Sequence, residues 1–414
     1  MNIFPLHSNS LLIFFILFII NDYVRVNGKV ESAPTNNGQQ YPLVMIPGTA
    51  GSQAFAVFKN DPNRQPLPLW LNMKFFVFIK RFSDYFKLNY NPTTGRTEDT
   101  EGVEIIFPGW GETWSIENLD ETPNVFSEYF GSLVYVLKKD PYYVSNFTMR
   151  GAPYDFRKAP NENAQFFENL RLLIEETYEN AKQRRVVLHP HSMGCLYALA
   201  FLKQRTISWK RKYIKSVIFS SCPFGGSVKS LKVEASGDNF GVFLRSPLSF
   251  RYVQRSMPSL TFMFPDARLW PASEPLIITP TKNYSTADYE SFFNDINYTV
   301  GYSMWKDTHS LVDGLEMPSG IDEIHCIHGS NLSTTDKLVY SPPNLFHNGF
   351  PDQVPLLVPG NGDGTVSIRS LEYCKYWPGT KYYVLPGAEH VHIMSDIRHI
   401  NIVLKILGAN ITHG

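Results

Sequence analysis

The sequence has no surplus of charge. Its 414 residues carry 38 Lys and Arg against 38 Asp and Glu, a formal net charge of zero. No global positive field exists to gather phosphates, which excludes a nucleic-acid binder held by electrostatics. Cysteine is scarce. Cys195, Cys222, Cys326 and Cys374 are too few for a disulfide scaffold, and none forms a CxxC zinc pair. Gly and Pro, at 27 and 29 residues, stay near background, so collagen-like and low-complexity architectures are excluded. No internal repeat is visible. No apolar run reaches the roughly 20 residues of a spanning helix. What is there is apolar: 43% hydrophobic, 14% aromatic and only 18% charged, enough to bury a core without staples.

The longest apolar run is Leu11–Ile20 (LLIFFILFII), the length of a secretory signal h-region. No Lys or Arg precedes it. Val26 and Gly28 supply small residues at −3 and −1, so residues 1–28 read as a signal peptide cleaved after Gly28. Residues 29–40 are polar, a flexible lead-in. Five glycosylation sequons follow, at Asn146, Asn283, Asn297, Asn331 and Asn410, as expected of a chain in the secretory pathway. Whether it ends in the lysosome or outside the cell is not written in these residues.

Periodicity then gives an α/β reading. Tyr41–Ile46, Arg185–Leu188, Tyr213–Ser220, Ile321–His328, Gln353–Val358 and Lys381–Leu385 read as strands. Residues 161–182, 193–203 and about 394–407 read as helices. Helices alternating with strands imply parallel βαβ units in one domain over residues 41–414. Residues 228–318 lack alternation, hold Pro247, Pro258, Pro265, Pro271 and Pro275 among many aromatics, and read as an insertion. Residues 66–79 (PLPLWLNMKFFVFI) are strongly apolar. They fit a buried element or a lipid-facing patch, because periodicity does not separate the two.

Between the strand at 185–188 and the helix at 193–203 lies Pro190-His191-Ser192-Met193-Gly194. This is the G-x-S-x-G nucleophile elbow with Pro190 in its first position. The rival reading makes Ser192 only an N-cap. An elbow predicts an acid and a histidine later, in that order, on strand-end loops. Asp363 in Pro359–Thr365 and His390 in Pro386–His390 meet that requirement. His390 would take the Ser192 proton, and Asp363 would hold the imidazolium. The oxyanion of an ester's tetrahedral intermediate needs two N–H donors. Met193, after the nucleophile, and Thr49, in the Pro47-Gly48-Thr49 loop after the first strand, are the candidates. No metal or cofactor is expected. Asn361–Gly364 lacks the acidic spacing of a Ca²⁺ loop, and the paired histidines at 189/191 and 390/392 have no clustered Cys or carboxylate.

With these residues placed, the chain resembles the lecithin:cholesterol acyltransferase and lysosomal (group XV) phospholipase A2 family. The similar passages are Pro42–Gln53, Phe107–Asp120, Arg150–Glu162, His191–Gly194, Ala235–Asn239, Gly362–Val366 and Gly387–His390. Arg150–Glu162 and Thr279–Ile296 look closer to the lysosomal phospholipase. The resemblance implies an α/β-hydrolase fold, with a membrane-docking subdomain at 53–100 and a lid or cap at 228–318. It supports Ser192, Asp363 and His390 as a triad and Thr49 and Met193 as oxyanion donors. It puts Leu69, Trp70 and Leu71 at a phospholipid membrane or lipoprotein surface. It pairs Cys326 with Cys374, leaving Cys195 and Cys222 as buried thiols. It implies Ca²⁺-independent removal of an acyl chain from a glycerophospholipid, passed to water or a lipid alcohol. The alternatives are a phosphatidylcholine-sterol acyltransferase and a non-catalytic lipid-binding protein. Two departures stand out. Thr49 occupies a position that is Asp in the lysosomal enzyme and Cys in the plasma one, and the docking region has no cysteine. Zero net charge makes any lipid docking mainly apolar.

Overall fold

The computed structural model describes residues 39–72, 78–121, 127–240 and 245–411. The expected signal peptide (1–28) and most of the lead-in (29–40) lie outside them. Among the described residues, no helix is long and apolar enough to cross a membrane.

Six parallel strands form the central sheet. In chain order they are β1 (Leu43–Ile46), β2 (Met149–Gly151), β3 (Val186–Pro190), β4 (Ile214–Ser220), β5 (Glu323–Ser330) and β6 (Lys381–Pro386). In space the order is β6-β5-β4-β3-β1-β2. The period of two divides their side chains between two cores. Val44, Ile46, Val186, Leu188, Val217 and Phe219 enter one, with helix α1 (Ala164–Asn180) and helix α2 (Met193–Lys203). Leu43, Met45, Val187, Ile218 and Ile327 enter the other, with helix α3 (Ile397–Leu407). Helices on both faces explain why β3 is buried throughout and is apolar from Val186 to Leu188.

Two strand expectations change. The segment expected at Gln353–Val358 is displaced to Leu356–Gly362 and lies outside the central sheet. It pairs antiparallel with Leu332–Val339. Pro355 delays its start, because proline cannot donate to a ladder, and Pro359 sits where the register shifts. The short strand β2 has no expectation behind it. Met-Arg-Gly carries no β-branched or aromatic residue to mark it.

Residues 228–318 are mainly helical. Val228–Ser236, Tyr289–Asp295 and Thr299–Thr308 pack on a third apolar cluster containing Phe264, Trp270, Phe292 and Phe293, while Leu248–Arg255 and Pro258–Phe262 bury Phe250, Val253, Leu260 and Phe262 in the first. Residues 53–100 contribute Ala54–Phe58, which pairs with Leu67–Trp70 and with Val103–Ile106, followed by the helix Ile79–Phe86.

That arrangement corrects the expected lipid contacts. Leu69 is 0% exposed and Trp70 is 5% exposed. The Trp70 ring packs against Phe82, Phe86, Phe156 and Phe240, and its indole N–H donates to Ala50 O at 2.8 Å. Leu71 is half-buried, its N–H donating to Leu119 O. The strand buries these residues because the helix Ile79–Phe86 closes over it. Phe78, at 66%, is the exposed apolar side chain next to that helix. Phe75 and Phe76 lie outside the described residues.

Cys326 and Cys374 are bonded, while Cys195 and Cys222 are free and buried. All five sequon asparagines are exposed.

Candidate active site

Ser192 stands at the turn between β3 and α2 with φ 54° and ψ −131°. A non-glycine residue at positive φ is strained, and the strain is what lifts a nucleophile off the end of a strand. The packing around the turn demands glycine twice. A Cβ at Gly194 would lie 2.4 Å from Pro47 O, and one at Gly48 would lie 2.6 Å from Ser192 Cβ. The N-cap alternative is not met, because the Ser192 side chain makes no capping bond. Its Oγ instead lies 2.9 Å from His390 Nε2.

His390 follows β6, and its Nδ1 lies 2.7 Å from Asp363 Oδ2. Asp363 is fully buried directly after the Leu356–Gly362 strand. Its Oδ1 accepts from the Val366 N–H at 2.8 Å and the Thr365 N–H at 3.1 Å. Both carboxylate oxygens are therefore occupied, as an acceptor-only group requires. The His390 N–H returns a bond to Asp363 O at 2.9 Å. The three side chains thus meet at the carboxyl ends of the sheet, where open α/β folds place ligands. Only Ser192 among them is partly exposed, so a substrate reaches the oxygen and not the acid.

Thr49 and Met193 are brought together. Thr49 Oγ1 contacts Met193 Sδ at 3.4 Å and Met263 Sδ at 3.8 Å. Met193 is the first residue of α2, whose N–H has no partner within its own helix. The Gly48 N–H is already used, donating to Tyr129 Oη at 3.0 Å.

Tyr129 is the site residue that the motifs miss. It lies in Ser127-Glu-Tyr-Phe-Gly131, a segment with no catalytic pattern. Its hydroxyl bonds His191 Nδ1 at 2.5 Å, and His191 Nε2 bonds the His390 carbonyl at 2.8 Å. Burial pushes the His191 imidazole well below its ordinary pKa, with the neighbouring His390 adding to the effect. The other motif histidines do different work. His189 and His399 share Ser220 Oγ, each at 3.0 Å, and burial holds His399 at about 4. His392 is paired at the surface with Glu389, which raises its pKa. Among the described residues, no group of three or more His, Cys, Asp or Glu could hold a metal ion.

The chemistry available is nucleophilic acyl transfer: an activated serine, a base within proton reach, a carboxylate to orient it, and adjacent N–H groups. The comparisons with known proteins agree. The profile of the family described as lecithin:cholesterol acyltransferase matches residues 67–405. A lysosomal phospholipase A and acyltransferase from Canis lupus familiaris is 35% identical over 386 residues, covering 89% of this chain and 92% of that protein. A phosphatidylcholine-sterol acyltransferase from Gallus gallus is 36% identical over 388 residues, covering 91% and 90%. Among solved structures, the Tle4-Tli4 complex aligns with a TM-score of 0.54 at 13% identity, over 89% of this chain and 98% of that one. This last likeness speaks to fold alone, and the fold is that of the α/β hydrolases.

Proposed function

The chain belongs to the lecithin:cholesterol acyltransferase family, and from that premise we propose that it moves acyl chains from glycerophospholipid through an ester on Ser192. His390 Nε2 takes the Oγ proton as Oγ attacks the acyl carbonyl carbon. The resulting oxyanion is received by the N–H groups of Thr49 and Met193. Collapse breaks the acyl ester, and the leaving lysophospholipid oxygen takes the proton from His390. Water or a lipid hydroxyl then gives its proton to His390 as its oxygen attacks the acyl-enzyme carbonyl, and collapse breaks the bond to Ser192 Oγ, which takes that proton back from His390. Asp363 stays ionised and steadies the imidazolium in both halves. One acyl-enzyme thus serves hydrolysis and transacylation alike.

The observation that carries this reading is the bonded series Ser192 Oγ, His390 Nε2, His390 Nδ1, Asp363 Oδ2 at a strained elbow. The phospholipase A and acyltransferase relative supports water or a lipid alcohol as the acceptor, and the sterol acyltransferase relative supports a sterol as the second reading. Residues 228–318 serve as lid or cap and residues 53–100 as the peripheral lipid-docking insertion, with Phe78 as its exposed apolar contact. The secretory route, ending in the lysosome or outside the cell, is consistent with five exposed sequons.

The test uses phosphatidylcholine liposomes, alone or with ceramide or cholesterol, at acidic and neutral pH. Free fatty acid, acylceramide or cholesteryl ester identifies the acceptor. Full activity in Ser192→Ala would overturn the mechanism.

A further inference from the structure

We propose that Tyr129 and His191 are positioning residues that lock the oxyanion loop to the general base. The inference rests on the acyl-enzyme reading above. Its basis is a hydrogen-bond chain whose direction the partners themselves decide. The His390 carbonyl can only accept, so His191 Nε2 carries the proton of that 2.8 Å bond. His191 is buried and neutral, so its Nδ1 is left as an acceptor, and the Tyr129 hydroxyl donates to it at 2.5 Å. The Tyr129 oxygen then accepts the Gly48 N–H at 3.0 Å. Every donor and acceptor along the path is used once.

The two ends of the path are the moving parts of the reaction. Gly48 immediately precedes Thr49, the loop donor for the oxyanion. His390 is the base, and its backbone is clamped on the other side by its N–H to Asp363 O. His191 is also the residue before the nucleophile, and its own N–H is fixed to Ile46 O at 3.0 Å. One chain therefore sets the separation between oxyanion donor, nucleophile and base. Neither Tyr129 nor His191 touches the reacting atoms. A misplacement of about 1 Å at such a site can cost about 10²-fold in rate. A buried chain of this kind resists partial occupation, because losing one member leaves its neighbours unpaired.

The experiment measures kcat and KM on phosphatidylcholine liposomes, normalised by active-site titration, together with the rate of Ser192 labelling by a fluorophosphonate. The variants are Tyr129→Phe, His191→Leu, His191→Gln and the double variant Tyr129→Phe/His191→Leu. Tyr129→Phe and His191→Leu are each expected to lower kcat and labelling by about 10–100-fold with KM within about twofold. Glutamine offers one acceptor and one donor on the same carbon, so His191→Gln should recover most of the loss. The double variant should be no worse than the poorer single, because the chain is broken once. Wild-type labelling rates in Tyr129→Phe, losses that multiply in the double variant, or His191→Gln as slow as His191→Leu would each overturn the proposal. If Tyr129→Phe does not fold, the two His191 variants decide. Wild type and Ser192→Ala run in parallel: a wild type that is not labelled at Ser192 sinks the acyl-enzyme reading itself, a separate failure.

Discussion

Asp363 and Trp70 are both shut off from water, 0% and 5% exposed, but they are held in different ways. Asp363 is fixed by directed bonds: one to His390 and two from backbone N–H groups. Trp70 is fixed mostly by area, against four aromatic rings, with one indole bond to Ala50 O. A buried polar group needs a particular partner at a particular distance, so its neighbourhood has one solution. An apolar ring needs only to be covered, and several neighbours could cover it. The catalytic corner should therefore lose rate before stability when altered, and the aromatic layer stability before rate.

The sharpest break in that comparison is Asp363→Asn. The amide can still accept the Val366 and Thr365 N–H groups, but it holds His390 in the wrong tautomer. We expect kcat to fall by about 10⁴-fold while the unfolding midpoint stays within a few degrees. Steady-state hydrolysis of a soluble ester and calorimetry check both halves. Next is Trp70→Ala, which should cost about 3–5 kcal/mol in denaturant unfolding. Liposome sedimentation of the folded fraction should be unchanged. A residue working at the lipid surface would give the opposite pattern, binding lost and stability kept.

The Cys326–Cys374 bond spans 48 residues of sequence that include Asp363. Replacing both cysteines by Ala should cost about 2–4 kcal/mol, measured by chemical unfolding without reductant. If kcat per titrated site also falls, the corner depends on that covalent loop as well as on its hydrogen bonds.

The smallest expected effect probes an exception. Glu234 lies in the helix Val228–Ser236, fully buried, with neither carboxylate oxygen hydrogen-bonded. Burial raises its pKa to about 8, with Arg255 opposing only in part. The folded value lies above the unfolded one, so the fold prefers the protonated acid. The resulting cost is small below about pH 4.5 and grows as pH rises towards 8. Glu234→Gln should therefore stabilise by about 2 kcal/mol at pH 6, and most of the gain should be gone near pH 4.5. Melting curves at the two pH values decide it. An equal effect at both would show that the carboxylate has a partner after all.

Much of the fold was readable because the sheet is parallel and sandwiched. Strands buried on both faces favour apolar runs, and β3 and β4 announce themselves that way, whereas β5 carries two histidines and β6, at the sheet edge, is largely exposed and reads from its β-branched and aromatic residues. The strand leading to Asp363 begins a few residues later than its apolar run predicts and lies outside the central sheet. Its pairing depends on Leu332–Val339, a segment with no strong alternation. The candidate triad was legible because its members sit on strand-end loops in a required order. Tyr129 was not legible. A lone tyrosine between a glutamate and a phenylalanine has no local feature that tells of a bond to Gly48 or His191, 81 and 62 residues away.

By itself, then, the amino-acid order determined the hydrolase architecture and pointed to Ser192, His390 and Asp363 as the candidate nucleophile, base and acid. It also determined which cysteines could pair, once the family resemblance was recognised. These rest on local turns, short periods and ordered motifs, which act over a few residues. Only the tertiary structure decided that Leu69 and Trp70 face inward, that the Glu234 carboxylate is buried without a hydrogen bond, and that Tyr129 joins Gly48 to His191 and so to His390. Burial and long-range hydrogen bonds depend on which distant segment comes to rest on a side chain, and no short stretch of sequence contains that.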